Sequence, residues 1–433
     1  MANATRRQFL AGSTALPLAG LGFPSAGQAS PSHSVAADLQ RYIGFGGKQS
    51  GGAGDNACGE WLAEELARAG FAVERQSVAV PFFAPERCAL VCGAAQAAVW
   101  PQPIVRPTPD GGIAAPLVRV DADGHAAVPL DGAIALVDLP FGRWSSATAP
   151  RLKRPIEAAF AAGAGAVVAI VNGPTGKVIA LNADGREPMF AGPVALLAPE
   201  DAAPFRAAAG RGERGVLHLT GEAGRRPGFN LIGRIDRGAA RWLIVSTPRS
   251  GWFTCAGERG GGIAAWLDLA RWLPGAAPRF NLAFICNSGH EYEYLGAEEM
   301  LREIAPRPAE TAFWLHLGAN VAARDWHEAV GGMRPLPGTD SQRYLVTSPS
   351  LLPVARREFA GLAGLEAPYG SDVLSAGELT NVIAAGYPLV AGVFGIHRFH
   401  HVADDDERCV DAGEVARATA AFRRLVAHVV ATV

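Results

Sequence analysis

His290 and Glu291 follow directly on the apolar run Phe280–Ile285, inside Ser288-Gly289-His290-Glu291-Tyr292-Glu293-Tyr294-Leu295-Gly296. In an open α/β sheet, ligands sit just past the carboxyl ends of the strands. An imidazole with a carboxylate beside it, emerging there, can bind a metal or move a proton near neutral pH. A second cluster, His397, His400 and His401, lies in Ile396-His397-Arg398-Phe399-His400-His401 and is followed by Asp404, Asp405 and Asp406. Carboxylates at that distance can hold an imidazole in one tautomer. Cys255 and Glu258 occupy the loop before Gly262, and His316 ends another apolar run. Each has an ordinary reading as well. Cys255 reads as a buried thiol, the three aspartates as a solvated run, and Glu258 as a partner of Arg259 or Arg249 on a surface loop.

These residues are positioned by a regular alternation. Strands are expected at 230–235, 241–246, 280–286, 312–317 and 389–394. Helices are expected at 262–273, 296–303 and 412–431, the last opened by an Asp411/Glu414 capping box. Alternating strands and helices argue for an α/β fold with a mostly parallel central sheet and helices on both faces. Before that region, a Gly-rich turn leads to Asp55 as the expected N-cap of a helix closed by Gly70, and 71–80 reads as a strand. Between about 87 and 227 the chain changes to short apolar strands with many Pro and Gly. There, strand 133–139, Ala-rich helix 151–162, Gly163-Ala164-Gly165 and strand 166–172 form a βαβ-like unit.

The ends and composition bound the rest. Thr5-Arg6-Arg7-Gln8-Phe9-Leu10 precedes an apolar run to Phe23, and Gly27-Gln28-Ala29 offers small residues for cleavage. Residues 1–29 therefore read as a twin-arginine export signal, which places the mature protein in the periplasm or outside the cell. With 49% hydrophobic and 18% charged residues the chain can bury a large core. A formal net charge of −2 gives no case for nucleic acid or for an anionic membrane after signal cleavage. Six cysteines over 433 residues do not make a disulfide scaffold. There is no Gly-x-Ser-x-Gly elbow, no second His at zincin spacing, and no Gly-Lys-Ser or Gly-Lys-Thr after Gly260-Gly261-Gly262.

Asn230-Leu231-Ile232-Gly233-Arg234, the strand 242–246, and Gly262-Ile263-Ala264-Ala265-Trp266-Leu267-Asp268-Leu269-Ala270-Arg271 together resemble the co-catalytic zinc aminopeptidases. That superfamily includes glutamate carboxypeptidases and the single-zinc glutaminyl cyclases. The likeness continues through Glu291 and Gly296, Tyr387-Pro388 and His400 to Asp404. It implies a catalytic-type domain over 30–86 and 228–433, with a protease-associated-like lid inserted at 87–227.

The resemblance breaks at the metal. Of five ligands, it maps the first His onto Thr247, the bridging Asp onto Gly257, the Glu-Glu pair onto His290-Glu291, the fourth ligand onto Gly318 and the last onto His400, with Asp404 following. Two ions about 3.5–4 Å apart need a full ligand set and a bridge, so an unmodified two-zinc centre is excluded. The expected cofactor is either none or a single zinc. Glu258, Glu291 and His400 are the tentative ligands of one ion, and three protein ligands plus water would suit it. His316 can supply or replace an arm. His290 and Glu291 are the expected catalytic pair, with Thr247, Arg249, Cys255, His316, His401 and Asp404 around the ligand. The expected function is an exported peptidase-like hydrolase acting on an amide, ester or peptide-like small substrate. The alternative is an inactive homologue that binds a peptide or cell-wall fragment.

Overall fold

Ser34 caps the first helix, its hydroxyl accepting a hydrogen bond from Ala37 N at 3.1 Å. The computed structural model describes residues 34–433, and the expected export signal lies outside the described residues. Helix α1 (Val35–Gly44) is followed by α2 (Ala53–Arg68) and a long strand β1 (Ala72–Cys92). Asp55, expected as the cap of α2, sits in its first turn, and Gly52 is the N-cap. The Asp55 carboxylate instead accepts from Gly51 N (2.8 Å) and Ser288 Oγ (2.7 Å) and pairs with Arg249 (2.9 Å).

Next come β2 (Ala95–Ala98), β3 (Trp100–Pro101), β4 (Ile113–Val120), β5 (Ile134–Asp138), α3 (Pro150–Ala161), β6 (Ala166–Ile170), β7 (Val194–Leu197) and α4 (Ala202–Gly210). The chain returns through β8 (Arg214–Ile235), then β9 (Trp242–Pro248), α5 (Gly261–Ala276), β10 (Asn281–Asn287), α6 (Leu295–Glu303) and β11 (Thr311–Leu317). A hairpin of β12 (Arg324–Ala329) and β13 (Gly332–Thr339) precedes β14 (Arg343–Thr347), α7 (Leu352–Glu358), β15 (Tyr369–Gly370), α8 (Glu378–Ala384), β16 (Val390–Gly395) and α9 (Ala412–Thr432).

The main sheet runs β15-β14-β16-β11-β9-β10-β8-β4-β5-β6-β7-β3. It is mixed: β10, β9, β11 and β16 are parallel, as are β4 to β7. An antiparallel ribbon joins the two halves. Strand β1 extends well past Val80 because β8 pairs with it from Ala72↔Arg234 to Val91↔Val216. Strands β9, β10 and β11 are covered on both faces, which is why they read as unbroken apolar runs. One face packs Leu66, Trp266, Phe284 and Phe422 under α2, α5 and α9. The other packs Ile244, Ile285, Met300 and Trp314 against α6 and α8. The β4–β7 half has apolar clusters of its own on its two faces. Asp411 caps α9 as expected, accepting from Gly413 N (2.9 Å) and Glu414 N (3.1 Å). Among the described residues no helix is long and apolar enough to cross a membrane.

Candidate functional site

Strands β9, β10, β11 and β16 are parallel, so their carboxyl ends share one edge of the sheet. The loops leaving that edge carry Thr247–Ser250, Ser288–Glu291, Gly318 and His397–His401. A single π-helical turn, Ala256–Gly260, opens α5 beside them. Such turns recur at functional sites because the widened coil re-aims side chains. Among the described residues, non-glycine left-handed backbone occurs at Cys255, Glu293, Tyr294, Asn320 and His401, all in these loops. Strain of that kind needs a surrounding structure that imposes it.

Glu258 and Arg259 both point inward from the π turn, with 0% and 1% exposure. Arg259 Nη2 stands 2.7 Å from Glu258 Oε1. The pairing is thus the expected one, but it is buried and not on a solvated loop. His401 Nδ1 lies 2.8 Å from Ala180 O, and a carbonyl only accepts, so Nδ1 carries the proton. Its Nε2 faces Glu258 Oε1 at 3.3 Å. His400 stacks on His401 with ring centroids 4.0 Å apart, and its Nε2 is 3.3 Å from Ser145 Oγ. Burial alone would raise the Glu258 carboxyl, but Arg259, with His401 and His400, outweighs it and holds the group well below the usual carboxylate range. Burial drives His400 well below the ordinary imidazole value.

A second pair lies next to this one. His290 Nδ1 is 3.0 Å from Glu378 Oε1, and Asn287 Nδ2 donates to Glu378 Oε2 at 2.9 Å. Burial would raise Glu378, but the hydrogen bond and charge of His290 dominate and hold it low, so it is the acceptor. His290 therefore has its proton on Nδ1 and a free lone pair on Nε2. Burial and then Arg259 push His290 below its ordinary value. A neutral, oriented imidazole with its second nitrogen open is the arrangement of a general base. Behind it, Trp314 Nε1 donates to Ser246 Oγ at 2.7 Å, which turns the serine proton toward His316 Nδ1 at 2.9 Å. Burial pushes His316 down to about 4.

Glu291 is placed differently from the expectation. Its Oε2 accepts from Ser50 Oγ and Ser250 Oγ, both at 2.6 Å, and its Oε1 from Ser50 N at 3.1 Å. Burial raises its carboxyl. The side chains whose ligand atoms converge within 4.8 Å are Glu258, His400 and His401. Glu291 is not one of them, because the two serines take its lone pairs.

The remaining expected residues divide between site and scaffold. Thr247 Oγ1 donates to Leu317 O at 2.7 Å and ties β9 to β11. Arg249 is fully buried, pairing with Asp55 and donating to Phe229 O (2.7 Å) and Cys286 O (3.2 Å), so it braces the loops and offers nothing to a ligand. Burial raises the Cys255 thiol well above its ordinary value, which leaves little thiolate for a nucleophile. Of the three aspartates it is Asp405, not Asp404, that turns inward, accepting from Gly257 N (2.8 Å) and Glu258 N (3.0 Å) and facing His397 Nε2 at 3.4 Å. Only one of three consecutive side chains in that turn can point at the π turn. Sequence spacing does not single out Arg259, Glu378, Ser50, Ser250 or Ser246 as site residues. Adjacency to Glu258 is a signal for Arg259; Glu378, on a distant helix, has none.

A two-zinc centre does not fit these residues. A Cβ on Gly257 would meet Asp405 Oδ1, Cys409 O and His397 Cε1 at 2.9 Å each, and one on Gly318 would meet Val393 O at 2.6 Å. Neither position has room for a ligand side chain, and the carboxylate reaching the centre is that of Glu258. For one ion the donor types are suitable, and Glu258 Oε1 and Oε2, His400 Nδ1 and His401 Nε2 lack aligned hydrogen-bond partners. Arg259 already supplies a cation there. An ion on Glu258 Oε1 would stand within about 5 Å of the guanidinium, and charges of +2 and +1 at that distance repel by roughly 7 kcal/mol at an effective dielectric of 20. An ion there would have to share Glu258 with the Arg259 guanidinium, which already pairs with that carboxylate.

An apolar cavity of about 290 Å³ is lined by Phe82, Trp100, Ile104, Trp252 and Tyr292, with Arg226 and Gln49 as polar members. Two of its lining residues, Gln49 and Tyr292, are chain neighbours of Ser50 and Glu291.

This architecture, with a His-Glu loop past the central strands, is the zinc-aminopeptidase fold. A peptidase M28 precursor from Shewanella amazonensis SB2B superposes with a TM-score of 0.71 at 17% identity, over 93% of this chain and 94% of that one. A zinc aminopeptidase from Bacillus subtilis gives 0.69 at 16% identity, over 91% and 93%. An aminopeptidase from Aneurinibacillus sp. strain AM-1 gives 0.63 at 18%, over 91% and 93%. No protein-family model matches the chain, and no curated protein matches it in sequence. At these identities the likeness is one of fold.

Proposed function

We propose that this chain is an exported peptidase-like hydrolase acting on an amide, ester or peptide-like small substrate, with His290 as the acid–base group and without a two-zinc centre. The observation that carries the reading is the His290–Glu378 pair: 3.0 Å, buried, and leaving Nε2 as the free acceptor, with the charge of Arg259 acting on the ring. The apolar cavity at Trp100, Trp252 and Tyr292 suits a hydrophobic side chain of the substrate. Residues 87–227 serve in this reading as a lid, since Ser145 and Ala180 reach His400 and His401 from that segment.

A second reading, binding without turnover, draws on the burial of the centre: Glu258 is 0% and His400 5% exposed. One experiment separates the two. His290→Ala should lower hydrolysis of aminoacyl 4-nitroanilides or 4-nitrophenyl esters by about 10²–10⁴-fold or more. If the protein binds such compounds, wild type turns none over, and His290→Ala binds them equally well, the binding reading replaces the hydrolase.

A further inference from the structure

The Arg259 guanidinium is buried with most of its donor capacity unused. Its Nε donates to Ser250 O at 3.2 Å. Nη1 and Nη2 make no aligned hydrogen bond, although Nη2 is 2.7 Å from Glu258 Oε1. Buried donors left open are rare and are met by water or by a ligand. A guanidinium offers planar, forked N–H groups suited to two oxygens or to one developing anion. Glu258 occupies one side of it, and Ser250 O holds the Nε.

We propose that Arg259 is the anion-binding group of this site and takes the place of a metal ion, receiving on its Nη hydrogens the substrate carbonyl oxygen as it becomes negative. The proposal rests on the hydrolase reading above. Its central placement is supported by its electrostatic reach to His290, His316, His400 and Tyr294, which sit on loops and strands from different parts of the edge.

The chemistry balances with water as the only co-reactant. His290 Nε2 takes a proton from water while the water oxygen bonds to the carbonyl carbon. The carbonyl π pair moves onto oxygen, against Arg259. When that pair returns, the bond to the leaving nitrogen or oxygen breaks, and His290 gives its proton to the leaving group. Glu258 balances the guanidinium and takes no part in bond making.

The test uses the mature chain, chelator-treated and untreated, with aminoacyl 4-nitroanilides and 4-nitrophenyl esters as reporters and benzylphosphonate as a tetrahedral anion probe. Because Arg259→Met alone strands Glu258, the variants are Glu258→Gln/Arg259→Met, Glu258→Gln and Arg259→Lys. The expected result is activity insensitive to chelator, with turnover in the double variant slower by roughly 10²–10³-fold while KM changes little. Arg259→Lys should fall between, and benzylphosphonate should bind wild type and Glu258→Gln but bind the double variant on the order of tenfold more weakly or worse. Stoichiometric zinc whose removal abolishes activity overturns the proposal, as does equal benzylphosphonate binding by wild type and the folded double variant. If no reporter is turned over while benzylphosphonate binding still depends on Arg259, the hydrolase reading fails and the anion site stands.

Discussion

Replacing Glu258 by Gln should destabilise the protein through the cation left behind. Glu258 and Arg259 are 0% and 1% exposed, with 2.7 Å between Oε1 and Nη2. Two unit charges with centres about 4 Å apart attract by ~4 kcal/mol at an effective dielectric of 20. Breaking a buried pair from one side costs about 3–5 kcal/mol for the same reason, because the survivor stays desolvated. Spread over the 400 described residues, an unfolding entropy of roughly 2.1 cal/mol/K per residue converts that loss to a fall in Tm of about 4–6 °C. The Glu258→Gln/Arg259→Met protein has no charge to strand and should recover to within about 1–2 kcal/mol of wild type. Urea melts and calorimetry on the three proteins give the comparison. Wild-type stability in Glu258→Gln, or a double variant no better than the single, would refute the reasoning, since either would mean that Arg259 is not held by this carboxylate.

His316 predicts a loss of stability on acidification. Its folded pKa, about 4, lies below the unfolded value near 6.5, so its contribution is complete above pH 6.5 and disappears as the pH falls toward 4, by roughly 3 kcal/mol in all. His316→Gln should flatten that window in pH-dependent melts; an unchanged slope would show that other groups set it. Gly318→Ala should cost about 1–3 kcal/mol, because its Cβ would press on Val393 O at 2.6 Å and force the β11 end to move. A Gly318→Ala protein as stable as wild type would mean that the strand end has slack and that the ligand position is open after all.

What can be read from the chain and what cannot divide along a physical line. Strands β9, β10 and β11 and helices α5 and α9 are legible because double-sided burial writes unbroken apolar runs and 3.6-residue stripes into the sequence. The sheet edge carrying His290 and His400 follows from those elements. The β1/β8 ribbon is longer than its apolar pattern indicates, since its outer half owes its length to a partner more than a hundred residues away. Asp55 has the residue type of a cap, yet its carboxylate finds Arg249 and Ser288, contacts that no local pattern encodes. Glycine at 257 and 318, where the resemblance puts metal ligands, is likewise read directly from the chain, and glycine offers no ligand atom.

Which carboxylate serves which cation was decided only by the tertiary structure. The resemblance makes Glu291 the companion of Glu258 and His400, but Ser50 and Ser250 claim its oxygens, and His401 takes the place beside Glu258. Asp405 prevails over Asp404 through the direction of one turn, and Glu378 reaches His290 from a helix 88 residues away in the chain. Apolar periodicity is a property of neighbours in sequence and survives in one dimension. Hydrogen-bond and ion-pair partners are set by angles and distances among loops from different strands, and those exist only once the sheet has formed.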